Sequence, residues 1–186
     1  FKKEAAFYKK RGGNVLWVGH PMIDLTKKLP LKKDSRTILN LRSDQNILLL
    51  MPASRPQELR YILPTFMKAA KKLQQKYPSL VVYIPSCRKV FDERFNKAFR
   101  KYQVNGQVIS QKDNARLKPY IYSLTKIALC KSGTVNMELA LYGIPQIVGY
   151  RVSRVTAFIA RKILNFKVRF ISPVNLLVNK LIIPEF

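Results

Sequence analysis

Four short apolar runs alternate with stretches whose apolar residues recur every three or four positions, and this alternation narrows the choice of fold more than any other feature. The runs are residues 47–51, 80–84, 127–130 and 145–148. Continuous apolar runs of this length suit strands buried on both faces. Between the first two, Leu59, Ile62, Leu63, Phe66, Ala70, Leu73 and Tyr77 mark one face of a helix, with Lys68, Lys71, Lys72 and Gln75 opposite. Pro64 must kink this helix or open its main part. Residues 90–102 predict a helix with Val90, Phe95, Phe99 and Tyr102 inward. Residues 113–124 and the stretch up to Tyr142 predict two more, the latter ended by Gly143. Residues 107–109 read as a weak strand, 14–18 as a further one, and 171–186 as loop with one short element. Residues 153–166 predict a basic amphipathic helix. The expected fold is α/β, a Rossmann-like parallel sheet with helices on both faces.

In such sheets ligands lie outside the carboxyl ends of the strands, so the loops after strands are where chemistry is sought. The loop Pro52-Ala-Ser-Arg-Pro-Gln-Glu58 places a hydroxyl and a guanidinium at a helix start. Helix N-termini bind anions, and arginine forks onto phosphate; equally, Ser54 suits a plain helix cap. In Lys131-Ser-Gly-Thr-Val-Asn-Met-Glu138, Gly133 admits a ligand to the backbone and Ser132 and Thr134 offer hydroxyls. Glu138, one turn on, suits either the hydroxyls of a ribose or solvent. Asn175 sits in a loop where asparagine commonly forms a turn, and Tyr150 and Arg151 follow the strand at 145–148.

With 47% hydrophobic residues in 186, a core can form without disulfides or metal. Cys87 and Cys130 lie in no CxxC or Cys/His cluster, which argues against structural zinc and for a reducing compartment. His20, the sole histidine, suits a hydrogen bond in a linker. No Ser/His/Asp set or spaced acid pair supports a hydrolase. The formal charge of +25 favours polyanionic partners: nucleic acid, anionic membrane or phosphorylated substrates. No run reaches the roughly 18–20 apolar residues of a membrane span. Without an initiator methionine at Phe1, the chain is expected to be an excerpt of a longer protein.

Five words, in this order, resemble the lipid-A-disaccharide synthases, inverting glycosyltransferases of GT-B architecture. They are Val18-Gly-His-Pro-Met-Ile-Asp24, Met51-Pro-Ala-Ser-Arg-Pro-Gln-Glu-Leu59, Ser132-Gly-Thr-Val-Asn-Met-Glu138, Pro145-Gln-Ile-Val-Gly-Tyr150, and Asn175-Leu-Leu177 with Pro184-Glu185. The resemblance implies the nucleotide-binding half of such an enzyme. Residues 1–24 would end the amino-terminal acceptor domain, 25–45 would link, and 46–186 would form a UDP-sugar-binding domain truncated at its carboxy end. It implies transfer of a diacylated glucosamine from UDP to a lipid monosaccharide phosphate. Arg55 would stabilise the leaving diphosphate, with Ser54 and Glu58 beside it. Ser132, Gly133 and Thr134 would line the phosphate and ribose side, Glu138 would hold the ribose, and Tyr150 and Asn175 would lie near the nucleotide. The general base is expected on the missing domain, no cofactor or metal is called for, and the excerpt alone is expected to turn over nothing. Ala53 replaces a glycine usual in the family. The lipid substrates imply peripheral attachment, through the helix at 153–166, to the cytoplasmic face of a bacterial inner membrane or its organelle equivalent; no nucleic acid is expected. Alternatives are another UDP-sugar enzyme of this architecture (a peptidoglycan glycosyltransferase or UDP-sugar epimerase), a basic nucleic-acid-binding module, or a scaffold that has lost activity.

Overall fold

A computed structural model describes residues 2–52, 55–151 and 169–186. The predicted helix at 153–166 and the positions of Ala53 and Ser54 lie outside the described residues. Five strands, β1 (Asn46–Met51), β2 (Leu80–Pro85), β3 (Gly106–Ile109), β4 (Thr125–Lys131) and β5 (Gln146–Gly149), form one sheet. Its order is β3-β2-β1-β4-β5, and every pairing is parallel. The central strand explains itself: Ile47, Leu48, Leu49 and Leu50 are all fully buried.

Side chains alternate across a strand, so β1 feeds two cores. Leu48 and Leu50 face α4 (Pro56–Lys76) and α5 (Lys89–Tyr102). Ile47 and Leu49 face the opposite layer, α6 (Gln111–Leu124) and α7 (Thr134–Leu141). Pro56 opens α4 at a first-turn position where its missing N–H costs nothing, and the helix runs on through Pro64. Gly143 takes φ +65° just past α7, the left-handed conformation expected of a helix stop.

Three expectations are corrected. Residues 14–18 form no strand: Leu16 and Val18 are more than four-fifths exposed, and among the described residues no neighbouring strand pairs their backbone. In α5 the buried stripe is Phe91, Phe95, Ala98 and Phe99. Val90 is 74% exposed because that stripe, at steps of four and three, leaves it on the outer side. Tyr77 is half exposed at the end of α4, where the chain has already left the helix.

The stretch at 25–45, read as a linker, contains α3 (Lys32–Ile38), and α1 (Lys2–Lys10) and α2 (Pro21–Leu25) precede it. His20 caps α2, its Nδ1 accepting from the Met22 amide at 3.2 Å. Buried Ser35 of α3 accepts a hydrogen bond from the Ser123 hydroxyl of α6 at 2.6 Å, and Leu39 joins the second core. This stretch therefore packs on the sheet domain. At the other end of the chain, α8 (Pro173–Val178) is the short element of the tail. Residues 184–186 then run parallel to β5: the Val148 amide donates to the Pro184 carbonyl at 2.9 Å, and the Phe186 amide to the Val148 carbonyl at 2.9 Å.

Candidate functional site at the carboxyl edge of the sheet

After β1 the chain moves one way along the sheet, to β2 and β3; it then returns to β4 and β5 on the other side. The loops after β1 and β4 therefore diverge and leave a crevice between them, the position at which open α/β sheets take ligands. Met51, Pro52, Pro85, Cys87 and residues 131–135 line a cavity of about 290 Å³ there.

One ion pair crosses the crevice. Lys131, the last residue of β4, places Nζ 2.6 Å from Glu58 Oε1 in the first turn of α4. Both side chains are about four-fifths buried, at 19% and 21% exposure. Arg55 precedes them, exposed and in the N-cap position of α4.

Beneath the loop after β4 lies a polar network that the sequence did not disclose. Asn136, fully buried, accepts from the Gly133 amide through Oδ1 at 2.9 Å. Its Nδ2 donates to Cys130 Sγ at 3.1 Å, the Lys131 carbonyl at 3.2 Å and Gln146 Oε1 at 3.2 Å. Gln146 Nε2 returns a bond to the Asn136 carbonyl at 2.8 Å. Burial pushes the Cys130 thiol up to about 12, against a smaller opposing effect of the Asn136 hydrogen bond. The network fixes residues 130–136 as one unit. A polar residue at a strand start (Gln146) and another inside an apolar helix (Asn136) were the available signals.

Gly133 is extended, with φ 165°, and a Cβ there would meet nothing closer than Lys131 Cε at 3.9 Å. The amides of Thr134 and Val135 open α7 and, as first-turn amides, have no intrahelical partner. Ser132 turns away from these amides to donate to the Ile171 carbonyl at 2.5 Å. That bond draws the tail to the crevice. Glu185 accepts from the Ile171 and Ser172 amides, each at 2.7 Å, and from Asn175 Nδ2 at 2.7 Å.

The expected site residues thus fall into four settings. Gly133 and Thr134 line the crevice, and Arg55 and Glu58 stand at the start of α4, where Glu58 is joined to the crevice wall through Lys131. Ser132 and Asn175 belong to the join between loop and tail, and Asn175 is fully buried with its amide engaged by Ile182, Ile183 and Glu185. Glu138 is ion-paired with Lys118 of α6. Its carboxylate also helps to hold the neighbouring Tyr122 hydroxyl above the usual tyrosine range, burial being the larger cause. Tyr150 lines a separate apolar groove of about 560 Å³ between α4 and β5, with Phe66, Leu73, Ile147, Arg151 and Phe186 among its walls. Among the described residues, no group of three His, Cys, Asp or Glu could hold a metal ion.

The family model described as lipid-A-disaccharide synthetase matches residues 1–186. The chain is similar to the lipid-A-disaccharide synthase of Prochlorococcus marinus, at 50% identity over 185 residues, covering 100% of this chain and 47% of that protein. It is similar to that of Gloeothece citriformis at 37% identity over 185 residues, covering 100% of this chain and 47% of that protein. The chain spans about half the length of the curated relatives it matches. Among solved structures, the fold is similar to WaaG, a glycosyltransferase involved in lipopolysaccharide biosynthesis. The TM-score is 0.54 at 16% identity, over 70% of this chain and 35% of that one. It is also similar to the E. coli ADP-heptose heptosyltransferase II, with TM-score 0.52 at 13% identity, over 73% of this chain and 39% of that one.

Proposed function

The chain belongs to the lipid-A-disaccharide synthetase family, and on that premise we propose that it is the nucleotide-sugar half of an inverting glycosyltransferase. The whole enzyme would transfer a diacylated glucosamine from UDP to a lipid monosaccharide phosphate, giving lipid A disaccharide and UDP. Residues 46–186 would form the UDP-sugar domain, 1–24 the end of the acceptor domain, and 25–45 the connection, with α3 packed back on the sugar-nucleotide side. One observation carries the reading: the loops after β1 and β4 meet across a crevice at the strand-order reversal, joined by Glu58 and Lys131.

In such a transfer the acceptor hydroxyl attacks the anomeric carbon as the bond from that carbon to the diphosphate oxygen breaks. The hydroxyl proton passes to a base in the part of the protein outside this chain, and the electron pair leaves on UDP. Charge therefore builds on the diphosphate, and fixed donors aimed there lower the barrier. Arg55 and the first-turn amides of α7 are suited to that task. Thr134 would meet the phosphate and ribose side. Glu138 would hold the ribose after exchanging Lys118 for sugar hydroxyls. Ser132 and Asn175 would act by shaping the loop. Tyr150 lines the separate groove between α4 and β5 and would make no contact with the nucleotide.

The substrates are lipids, so attachment would be peripheral, at the cytoplasmic face of a bacterial inner membrane. No helix among the described residues is long and apolar enough to cross a membrane. The exposed sides of α4 and α5 carry Arg60, Lys68, Lys72, Arg94 and Lys97, and basic residues near an anionic leaflet contribute about 1 kcal/mol each.

Calorimetric titration with UDP tests the site. The unaltered chain is expected to bind weakly, and Arg55→Ala to lose about tenfold, as for a charged hydrogen bond. Equal affinity in the two would remove Arg55 from the site. Comparing diacylated with plain UDP-glucosamine on the full-length protein tests the donor.

A further inference from the structure

We infer that Lys131 is a diphosphate-binding residue of the crevice and that Glu58 is its positioning partner rather than a substrate contact. This rests on the nucleotide reading above and goes beyond it, because it adds a cation on the β4 side and gives Glu58 a different task.

Strand geometry sets the direction of Lys131. Leu129 packs in the core shared with α4, and Lys131, two residues on, lies on the same face. Its ammonium therefore reaches toward the first turn of α4 and finds Glu58 Oε1 at 2.6 Å. Stability alone gives little reason for such a pair. Removing two charges from water offsets most of their attraction, and apolar replacements for buried pairs are often at least as stable.

The unused valences of the pair point to a third group. An ammonium has three N–H donors, and among the described residues Glu58 is the one hydrogen-bond acceptor found for it. Glu58 Oε2 is itself buried and has no partner. Lys131 lines the cavity with Ser132, Gly133 and Thr134. Arg55 stands outside the same helix start. Lys131 lines the cavity and Arg55 caps the helix that carries Glu58, so each side of this sheet edge supplies one cation for two phosphates lying there. Glu58 fixes the lysine ammonium in one position, so that its remaining donors meet phosphate oxygens without first searching rotamers. A lysine released from Glu58 would lose that preorganisation, and side-chain ordering is a real part of the cost of binding.

The test compares UDP with uridine, which lacks the phosphates, on the unaltered chain and on Lys131→Met, Lys131→Arg and Glu58→Gln. Lys131→Met is expected to weaken UDP by about tenfold or more and to leave uridine unchanged. Lys131→Arg is expected to keep most of the preference for UDP, because it restores charge and donors. Glu58→Gln is expected to weaken UDP by about threefold, again without effect on uridine. An unchanged UDP-to-uridine ratio in Lys131→Met overturns the inference. So does an equal loss of both ligands in Lys131→Met and Lys131→Arg, which marks a purely structural role. If the unaltered chain binds no UDP, the nucleotide reading itself fails and takes this inference with it.

Discussion

Asn175 donates through Nδ2 to Glu185 Oε1 across 2.7 Å, and this bond ties the start of α8 to the last residues of the chain. The same carboxylate accepts the Ile171 and Ser172 amides, and the Ile171 carbonyl accepts the Ser132 hydroxyl. A buried asparagine thus reaches the loop after β4 through a short series of hydrogen bonds. An asparagine that looks like a turn former or a ligand contact in the sequence is, in the fold, the centre of the tail.

Asn175→Ala is therefore expected to act on stability. It strands the Ile182 and Ile183 amides, which Oδ1 serves at 3.0 and 2.9 Å. A loss of about 3 kcal/mol follows from leaving such groups unpaired, with the thermal midpoint falling by roughly 10 °C. Asn175→Asp is expected to be no better at neutral pH, because it sets a second carboxylate against Glu185. It should recover as pH falls and one of the two takes a proton. Urea unfolding of both variants across pH checks the size and the sign.

The two cysteines are expected to differ sharply toward a maleimide. Cys87 is exposed at the crevice and Cys130 is buried. Reaction goes through the thiolate, and burial holds Cys130 protonated. Mass spectrometry should find one modification in the folded chain and two in denaturant. Because Cys87 lines the crevice, saturating UDP should slow its labelling. Fast modification of Cys130 in the native state would contradict its burial.

Alkaline pH should weaken the fold. Cys130 is raised from an ordinary 9.0 to about 12, and Tyr122 is raised as well, chiefly by burial. A folded pKa above the unfolded one means that the folded state holds its proton longer. The stabilisation is complete below the unfolded value and is lost as pH rises toward the folded one. For Cys130 the decline begins near 9 and runs to about 12. Urea midpoints at about pH 8 and about pH 10.5 should separate more widely in the unaltered chain than in Cys130→Ala.

The core was legible because periodicity reports burial directly. The runs at 47–51 and 80–84 gave β1 and β2, and the stripe from Leu59 to Ala70 gave α4. That the loops after β1 and β4 would share one edge was legible because parallel strands all end on the same side of the sheet. Pairings between distant residues were not. Nothing near Glu58 in the sequence points to Lys131, 73 positions away, and nothing near Glu138 points to Lys118 of α6. Residues 14–18 show the converse failure. An apolar run states a preference for burial, but a strand also needs a neighbour with which to exchange hydrogen bonds.

Two glycines should respond to alanine in opposite ways, and the contrast separates packing from ligand approach. At Gly106 a Cβ would lie 2.1 Å from the Val82 carbonyl oxygen and 2.7 Å from Phe99 Cε1, with backbone on one side and a core ring on the other. Gly106→Ala must push β3 from β2 or move the ring of Phe99, and a loss of about 2–4 kcal/mol is expected, with no specific effect on ligand in the fraction that folds. At Gly133 the backbone is extended and the nearest atom to a Cβ is the movable Lys131 Cε at 3.9 Å. Gly133→Ala should therefore change stability by less than about 0.5 kcal/mol. The added methyl would instead project near the start of α7, beside Lys131, where the diphosphate is proposed to lie. UDP affinity should fall by about tenfold or more while the urea midpoint stays put, because a ligand in contact with that backbone has no room for it. If Gly133→Ala binds UDP as the unaltered chain does, the nucleotide does not approach this loop, and the site must be moved elsewhere along the edge.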